Sequence, residues 1–145
     1  MGARILLIDD DAGIRESMRM PLEYEGYEYL AAGSAEEGIS LVQRESPDIV
    51  FLDVKMPGMD GMEALNRIKA LNENVPVVMI SAHGTASLGA EATRRGAADF
   101  VEKPFGAERL LVTIRNQLDR TRLIDENRSL KRAAEIRHQM VGESP

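Results

Sequence analysis

Apolar residues follow two rhythms along this chain. Short unbroken runs, Ile5-Leu6-Leu7-Ile8 and Ile49-Val50-Phe51-Leu52, read as strands buried on both faces. Between them, apolar positions spaced by three and four mark helices. Ala12 to Glu25 has that spacing through Ile14, Met18 and Leu22, with Gly26 as its stop. Pro21 lies inside this segment, lacks an N–H, and is expected to weaken or kink the last turns. Tyr27 to Ala31 is a second strand, with Tyr27, Tyr29 and Ala31 on one side. Ser34, three residues before Glu37, has capping-box spacing. It opens a helix to about Glu45, where Pro47 blocks continuation. Gly61 to Leu71 is helical through Met62, Leu65 and Ile68, and Val75 to Ile80 is a fourth strand with Pro76 near its start. Thr85 to Arg95 is a poor helix: it carries Gly89, is rich in Ala, Ser and Thr, and is closed by Gly96. Asp99 to Glu102 is a short fifth strand, and the chain is helical from Phe105 onward.

Five strands alternating with five helices predict an α/β fold, a doubly wound sheet with helices on both faces. Such connections bring the ends of all five strands to one edge, which is where ligands bind in parallel sheets. Asp9, Asp10, Asp53, Ser81 and Lys103 all fall at strand ends. Asp53 is the most informative of them. It closes a core strand and is followed by the turn dipeptides Pro57-Gly58 and Asp60-Gly61.

Three carboxylates in one pocket repel, and a hard divalent cation such as magnesium would relieve them. A lysine across the pocket and a serine hydroxyl suit the oxygens of a phosphoryl group. The nucleophile left for that group is a carboxylate, and Asp53, on the middle strand, is the candidate. Each residue also has an ordinary structural reading. Asp9 to Asp11 suit a solvated helix N-cap, Lys103 a surface lysine, Ser81 a turn residue and Phe100 a core aromatic. His83 follows a strand and reads as a loop residue rather than a phosphodonor.

Composition narrows the class further. The chain has 145 residues, 43% of them hydrophobic, which is enough for one domain with an appendage. A net charge of −6 argues against direct nucleic-acid binding. The absence of cysteine removes disulfides and thiol chemistry, and no apolar run approaches a membrane span. Met1-Gly2-Ala3-Arg4 leads straight into a strand rather than a signal peptide, and Leu6 breaks the myristoylation pattern.

Four stretches in order carry a family resemblance. They are Leu7-Ile8-Asp9-Asp10-Asp11, Phe51-Leu52-Asp53-Val54-Lys55-Met56-Pro57-Gly58-Met59-Asp60-Gly61, Ile80-Ser81-Ala82 and Phe100-Val101-Glu102-Lys103-Pro104-Phe105. Together they resemble bacterial response-regulator receiver domains, over about residues 4 to 120. The resemblance implies a five-stranded parallel, flavodoxin-like sheet of strand order 2-1-3-4-5. It implies that Asp53 is phosphorylated by a sensor histidine kinase, with magnesium as cofactor. Asp10 and Asp53 would hold the metal directly, Asp9 through water, and Lys55 through its backbone carbonyl. Lys103 would contact the phosphoryl oxygens, Ser81 would move toward them, and Phe100 would turn inward after it. Asp11 has no assigned role. The implied protein is a cytoplasmic regulator that catalyses only its own phosphorylation and dephosphorylation. The helix from Thr85 to Arg95 belongs to the family's output face, so its weakness reads as an element able to shift.

The long C-terminal helix has a change of phase. Leu110, Leu111, Ile114 and Leu118 can pack on the domain, whereas Leu123, Asn127, Leu130 and Ala134 follow 4-3-4 spacing. Leu at d and Asn at a suit a parallel two-stranded coiled coil, and hence a homodimer. A solvated charged helix is the other reading. The expected organisation is a receiver at 1–120, a helical linker at 121–139, and at 140–145 the start of an output ATPase domain. Met140-Val141-Gly142-Glu143-Ser144-Pro145 resembles the opening of the ATPase domain in NtrC-type (sigma-54-dependent) activators. Control of such a domain in cis is the function favoured. A stand-alone receiver that binds a separate protein is the alternative. A magnesium-dependent phosphatase is a further one, against which Lys55 breaks the expected Asp-x-Asp pattern.

Overall fold

In the computed structural model the backbone is described for residues 2–82 and 86–142, and the side chains for these except 128, 129 and 131–142. His83, Thr85 and the 143–145 end lie outside the described residues, as does the side chain of Ala134. The strands are β1 (Arg4–Ile8), β2 (Glu28–Ala32), β3 (Ile49–Asp53), β4 (Val77–Ser81) and β5 (Asp99–Glu102). The helices are α1 (Ala12–Tyr24), α2 (Ala35–Glu45), α3 (Gly61–Leu71), α4 (Ala86–Arg94) and α5 (Ala107–Gly142). All strand pairs are parallel, in the order β2-β1-β3-β4-β5.

Alternation along the strands builds two cores. Ile5, Leu7, Ile49, Phe51, Val78, Ile80 and Val101 pack with Met18 and Leu22 of α1 and Leu110 and Ile114 of α5. Leu6, Ile8, Val50, Leu52, Val77 and Met79 point the other way, onto α2, α3 and α4. The β1, β3 and β4 runs are continuous because both faces of the sheet are covered. Tyr27, Tyr29 and Ala31 lie on the α1/α5 side, as their spacing predicts.

Two local expectations are corrected, at Ser34 and at the start of β4. Pro21 lies inside α1, which continues to Tyr24 and buries Leu22, as the spacing predicts. The helix is anchored there by its apolar face, and the Pro21 carbonyl still accepts from Glu25 N. The capping box at Ser34 is only half formed. Ser34 Oγ accepts from Glu37 N at 3.2 Å, but Glu37 Oε2 reaches Gly33 N rather than Ser34 N. Strand β4 starts at Val77, not Val75: Pro76 has no N–H for the ladder, although its carbonyl accepts from Val50 N.

Helix α5 runs 36 residues, about 54 Å, and continues through Gly142, past the predicted linker boundary at 139. At about 100° per residue, Leu123, Asn127 and Leu130 form one stripe roughly opposite Leu110 and Ile114. The exposure follows that geometry. Leu110 and Ile114 are fully buried, whereas Leu123 is 58% and Leu130 71% exposed.

Candidate functional site

The side chains that meet at the carboxyl edge are selected by strand parity. Ile5 and Leu7, Ile49 and Phe51, and Val101 face the α1/α5 core. Two residues further along β1, β3 and β5, the same alternation carries Asp9, Asp53 and Lys103. Strand β4, between β3 and β5, fixes the reach. Ile80 O accepts from Val54 N and Ser81 O from Lys103 N, both at 2.8 Å. Neighbouring carbonyls of one strand thus hold the residue after Asp53 and Lys103 itself.

Lys103 Nζ donates to Asp53 Oδ2 at 2.9 Å and lies 3.0 Å from Asp9 Oδ2. Carboxylate oxygens of Asp9, Asp10 and Asp53 lie within 4.8 Å of one another. Asp9 and Asp53 are buried and Asp10 is exposed. Asp9 Oδ1 accepts from Asp11 N at 3.0 Å. Asp9 Oδ2 is buried and accepts no hydrogen bond among the described residues, so its contact with Lys103 is an ion pair alone. Three carboxylates against one ammonium leave two negative charges, the complement of one divalent cation.

The electrostatics follow from this geometry. Burial pushes the Asp53 carboxyl above its ordinary value. The Lys103 hydrogen bond opposes that, the Asp9 charge adds to it, and the Lys55 N–H opposes it. For Lys103, burial pulls the ammonium down, but the hydrogen bond to Asp53 and the charges of Asp9 and Asp53 outweigh it and raise the pKa. A buried, unsatisfied carboxylate oxygen beside an exposed carboxylate is an oxygen donor set that suits a hard cation such as magnesium.

The structure brings Asp9, Asp10, Asp53 and Lys103 together. Lys55 touches the group through its backbone N–H, which donates to Asp53 Oδ1 at 3.1 Å. Ser81 is buried on β4, one residue past Ile80, the register partner of Asp53. Phe100 is partly buried against the α2/α3/α4 core, the opposite face from Lys103. The loop after Asp53 closes tightly. Gly61 N donates to Val54 O at 3.1 Å, and a Cβ on Gly61 would stand 2.5 Å from that oxygen. Only glycine admits this approach of α3 to the site.

One residue takes the ordinary role that the sequence offered it, and one gains a role that the sequence reading did not give it. Asp11 is the N-cap of α1, accepting from Gly13 N at 2.8 Å and Ile14 N at 3.2 Å. The acidic triplet is therefore divided: Asp11 is the cap that an acid directly before a helical pattern suggests, and Asp9 and Asp10 belong to the pocket. Arg15 Nη1 donates to Asp9 O at 2.7 Å. Nothing in the residue pattern marks a side chain that turns back to a backbone carbonyl.

Comparison with known proteins bears on family and fold. The chain is 37% identical over 144 residues to the C4-dicarboxylate transport transcriptional regulatory protein DctD of Rhizobium meliloti (strain 1021), covering 97% of this chain and 31% of that one. It is 40% identical over 146 residues to the nitrogen assimilation regulatory protein NtrX of Azorhizobium caulinodans, covering 99% and 32%. The chain thus spans about a third of these relatives' length. Among solved structures, NtrX from Brucella abortus superposes with a TM-score of 0.83 at 39% identity, over 90% of this chain and 30% of that one. A CheY-like receiver domain protein from Methanospirillum hungatei JF-1 superposes with a TM-score of 0.80 at 30% identity, over 84% of this chain and 98% of that one. The sequence pattern of the response regulator receiver domain matches residues 5–115, from the start of β1 into α5. With sheet order, strand-end acids and sequence in agreement, the chain belongs to the response regulator receiver domain family.

Proposed function

We propose that this receiver accepts a phosphoryl group on Asp53 from the phosphohistidine of a sensor kinase and passes the change to an output domain in the same protein. The observation that carries this reading is the Lys103 ammonium shared between Asp53 and Asp9, with Asp10 open beside them. An Asp53 carboxylate oxygen attacks phosphorus, the bond from phosphorus to the imidazole nitrogen breaks, and the electron pair stays on nitrogen. Asp53 then carries an acyl phosphate and no longer offers Lys103 the same carboxylate. The ammonium turns to the phosphoryl oxygens, and the Ser81 hydroxyl moves toward them with Phe100 following. Asp10, Asp53 and the Lys55 carbonyl, with Asp9 through water, would hold magnesium, which when bound would supply positive charge for the oxygens of the transferred group. Apart from making and losing its own acyl phosphate, the chain catalyses nothing.

At larger scale the proposed organisation is a receiver at 1–120, a helical linker at 121–139 and an attached ATPase domain of the sigma-54 activator kind. The 97% and 99% coverage of this chain by two transcription and nitrogen regulators, including its helical extension, supports it. The exposed Leu123 and Leu130 support a parallel homodimer through α5. Among the described residues no helix is long and apolar enough to cross a membrane. A cytoplasmic setting, where sensor kinases present their phosphohistidine, fits the reading.

Acetyl phosphate with magnesium tests the chemistry. Intact-mass spectrometry should show one added phosphoryl group on wild type and none on Asp53→Asn. An equal mass gain in the variant would overturn the assignment.

A further inference from the structure

We infer that Arg15 is a positioning residue for the acidic centre, acting through the peptide between Asp9 and Asp10; this rests on the reading of that centre as a magnesium site. Arg15 lies in the first turn of α1, and its Nη1 donates to Asp9 O at 2.7 Å. On the other side of the same residue, Asp9 N donates to Ala32 O at 3.0 Å. Strand β2 therefore fixes the peptide before Asp9, and Arg15 fixes the one after it. Asp9 O and Asp10 N belong to one planar unit, so holding that oxygen sets the direction in which Asp10 leaves the backbone. Asp10 is exposed and has no ion pair among the described residues. Its carboxylate is aimed by its backbone rather than by a partner side chain.

Arg15 is itself braced. The Tyr29 hydroxyl donates to Arg15 O at 2.7 Å from a ring that is buried on β2. Arg19 lies over that ring, 5.3 Å from its centre. Burial holds the Tyr29 hydroxyl up at about 12, so it remains a donor at neutral pH. Gly33 leaves room for the guanidinium: a Cβ there would stand 3.1 Å from Nη1 and 3.3 Å from Cζ. The brace runs from β2 through α1 to the end of β1.

Charge and position act in opposite directions, which makes the inference testable by sign. As a bare cation, Arg15 repels a metal, so its removal would tighten binding. As a brace, its removal lets the Asp9–Asp10 peptide turn and weakens binding, by about 10-fold for a supporting contact of this kind. Calorimetric titration of the full chain with magnesium chloride decides between them. Arg15→Met should bind about 10-fold more weakly, and Arg15→Lys, which keeps a donor, should recover part of that loss. Gly33→Ala reaches the guanidinium from outside and should weaken binding in the same way. The double variant should bind no more weakly than Arg15→Met, since both changes act on one contact. Urea unfolding of each variant confirms that it is folded. A wild type that takes up no magnesium would overturn the metal reading itself. A wild type that binds, with Arg15→Met and Gly33→Ala binding equally well or more tightly, would overturn the role of Arg15.

Discussion

Asp53 sits under opposing forces. Burial raises its carboxyl, the Lys103 hydrogen bond lowers it, and the Asp9 charge raises it again, with a net upward shift. An acid whose folded pKa is raised stabilises the fold below its unfolded value, near 3.8, and loses that contribution as pH rises through the folded value. Lys103 behaves in the complementary way. Its folded pKa is raised, so its contribution is present below about 10.5 and lost as pH rises through the folded value. We expect Asp53→Asn, without divalent cation, to unfold at a higher urea concentration than wild type at pH 7. The gap should close as the pH approaches 4, and magnesium should raise the wild-type midpoint more than that of the variant. Urea titrations at several pH values check this, and a variant less stable than wild type at pH 7 would refute it. Asp9, Asp53 and Lys103 were legible because each lies at or just beyond the end of an apolar run, where strand alternation fixes its face. The Arg15 contact was not legible, because its partner is a carbonyl and carbonyls are the same at every residue.

Among the elements, α4 differs most from its neighbours. It spans Ala86–Arg94 and buries only Ala92 among its described residues, whereas α3 buries Gly61, Met62, Ala64, Leu65 and Ile68. Gly89 sits mid-helix, and a Cβ there would meet nothing within 4 Å. Gly89→Ala should therefore stabilise α4 by about 0.5–1 kcal/mol through backbone entropy, without a clash. Hydrogen exchange of the α4 amides should slow while that of α3 stays unchanged. If this helix shifts during signalling, the same substitution should also blunt the response to phosphorylation. Elements whose packing is set by one strong apolar stripe, such as Gly61–Leu71, were readable to the residue. Strand β4 was misplaced by two residues because Val75 is buried without joining the ladder, and hydropathy does not distinguish the two states. Pro21 is tolerated inside α1 because the lost hydrogen bond is local, whereas the burial of Met18 and Leu22 that retains the helix is tertiary.

For the molecule as a whole, the expected dimer has a short apolar seam, so the coil alone should be marginal. Sedimentation of the full chain and of a version ending at Arg120, with and without beryllofluoride, separates the coil from any receiver contact. We expect the full chain to dimerise more tightly, and Leu123→Asp with Leu130→Asp to remove the difference. A full chain that stays monomeric in both states would reduce the seam to a solvated helix. The opposed faces of α5 carry a consequence for length. One uninterrupted helix bears both the side that grips the sheet and the side proposed to meet a second copy, so the offset between them is encoded by the number of residues separating Leu118 from Leu123. Adding residues there turns a dial. Seven added residues return the dial to within about 20° of its setting, whereas two turn it by about 200° and send the seam toward the sheet. This segment should therefore tolerate changes of length in near-whole turns and resist all others. A gene that acquired two codons here would keep every contact of its receiver and still aim whatever follows in the wrong direction.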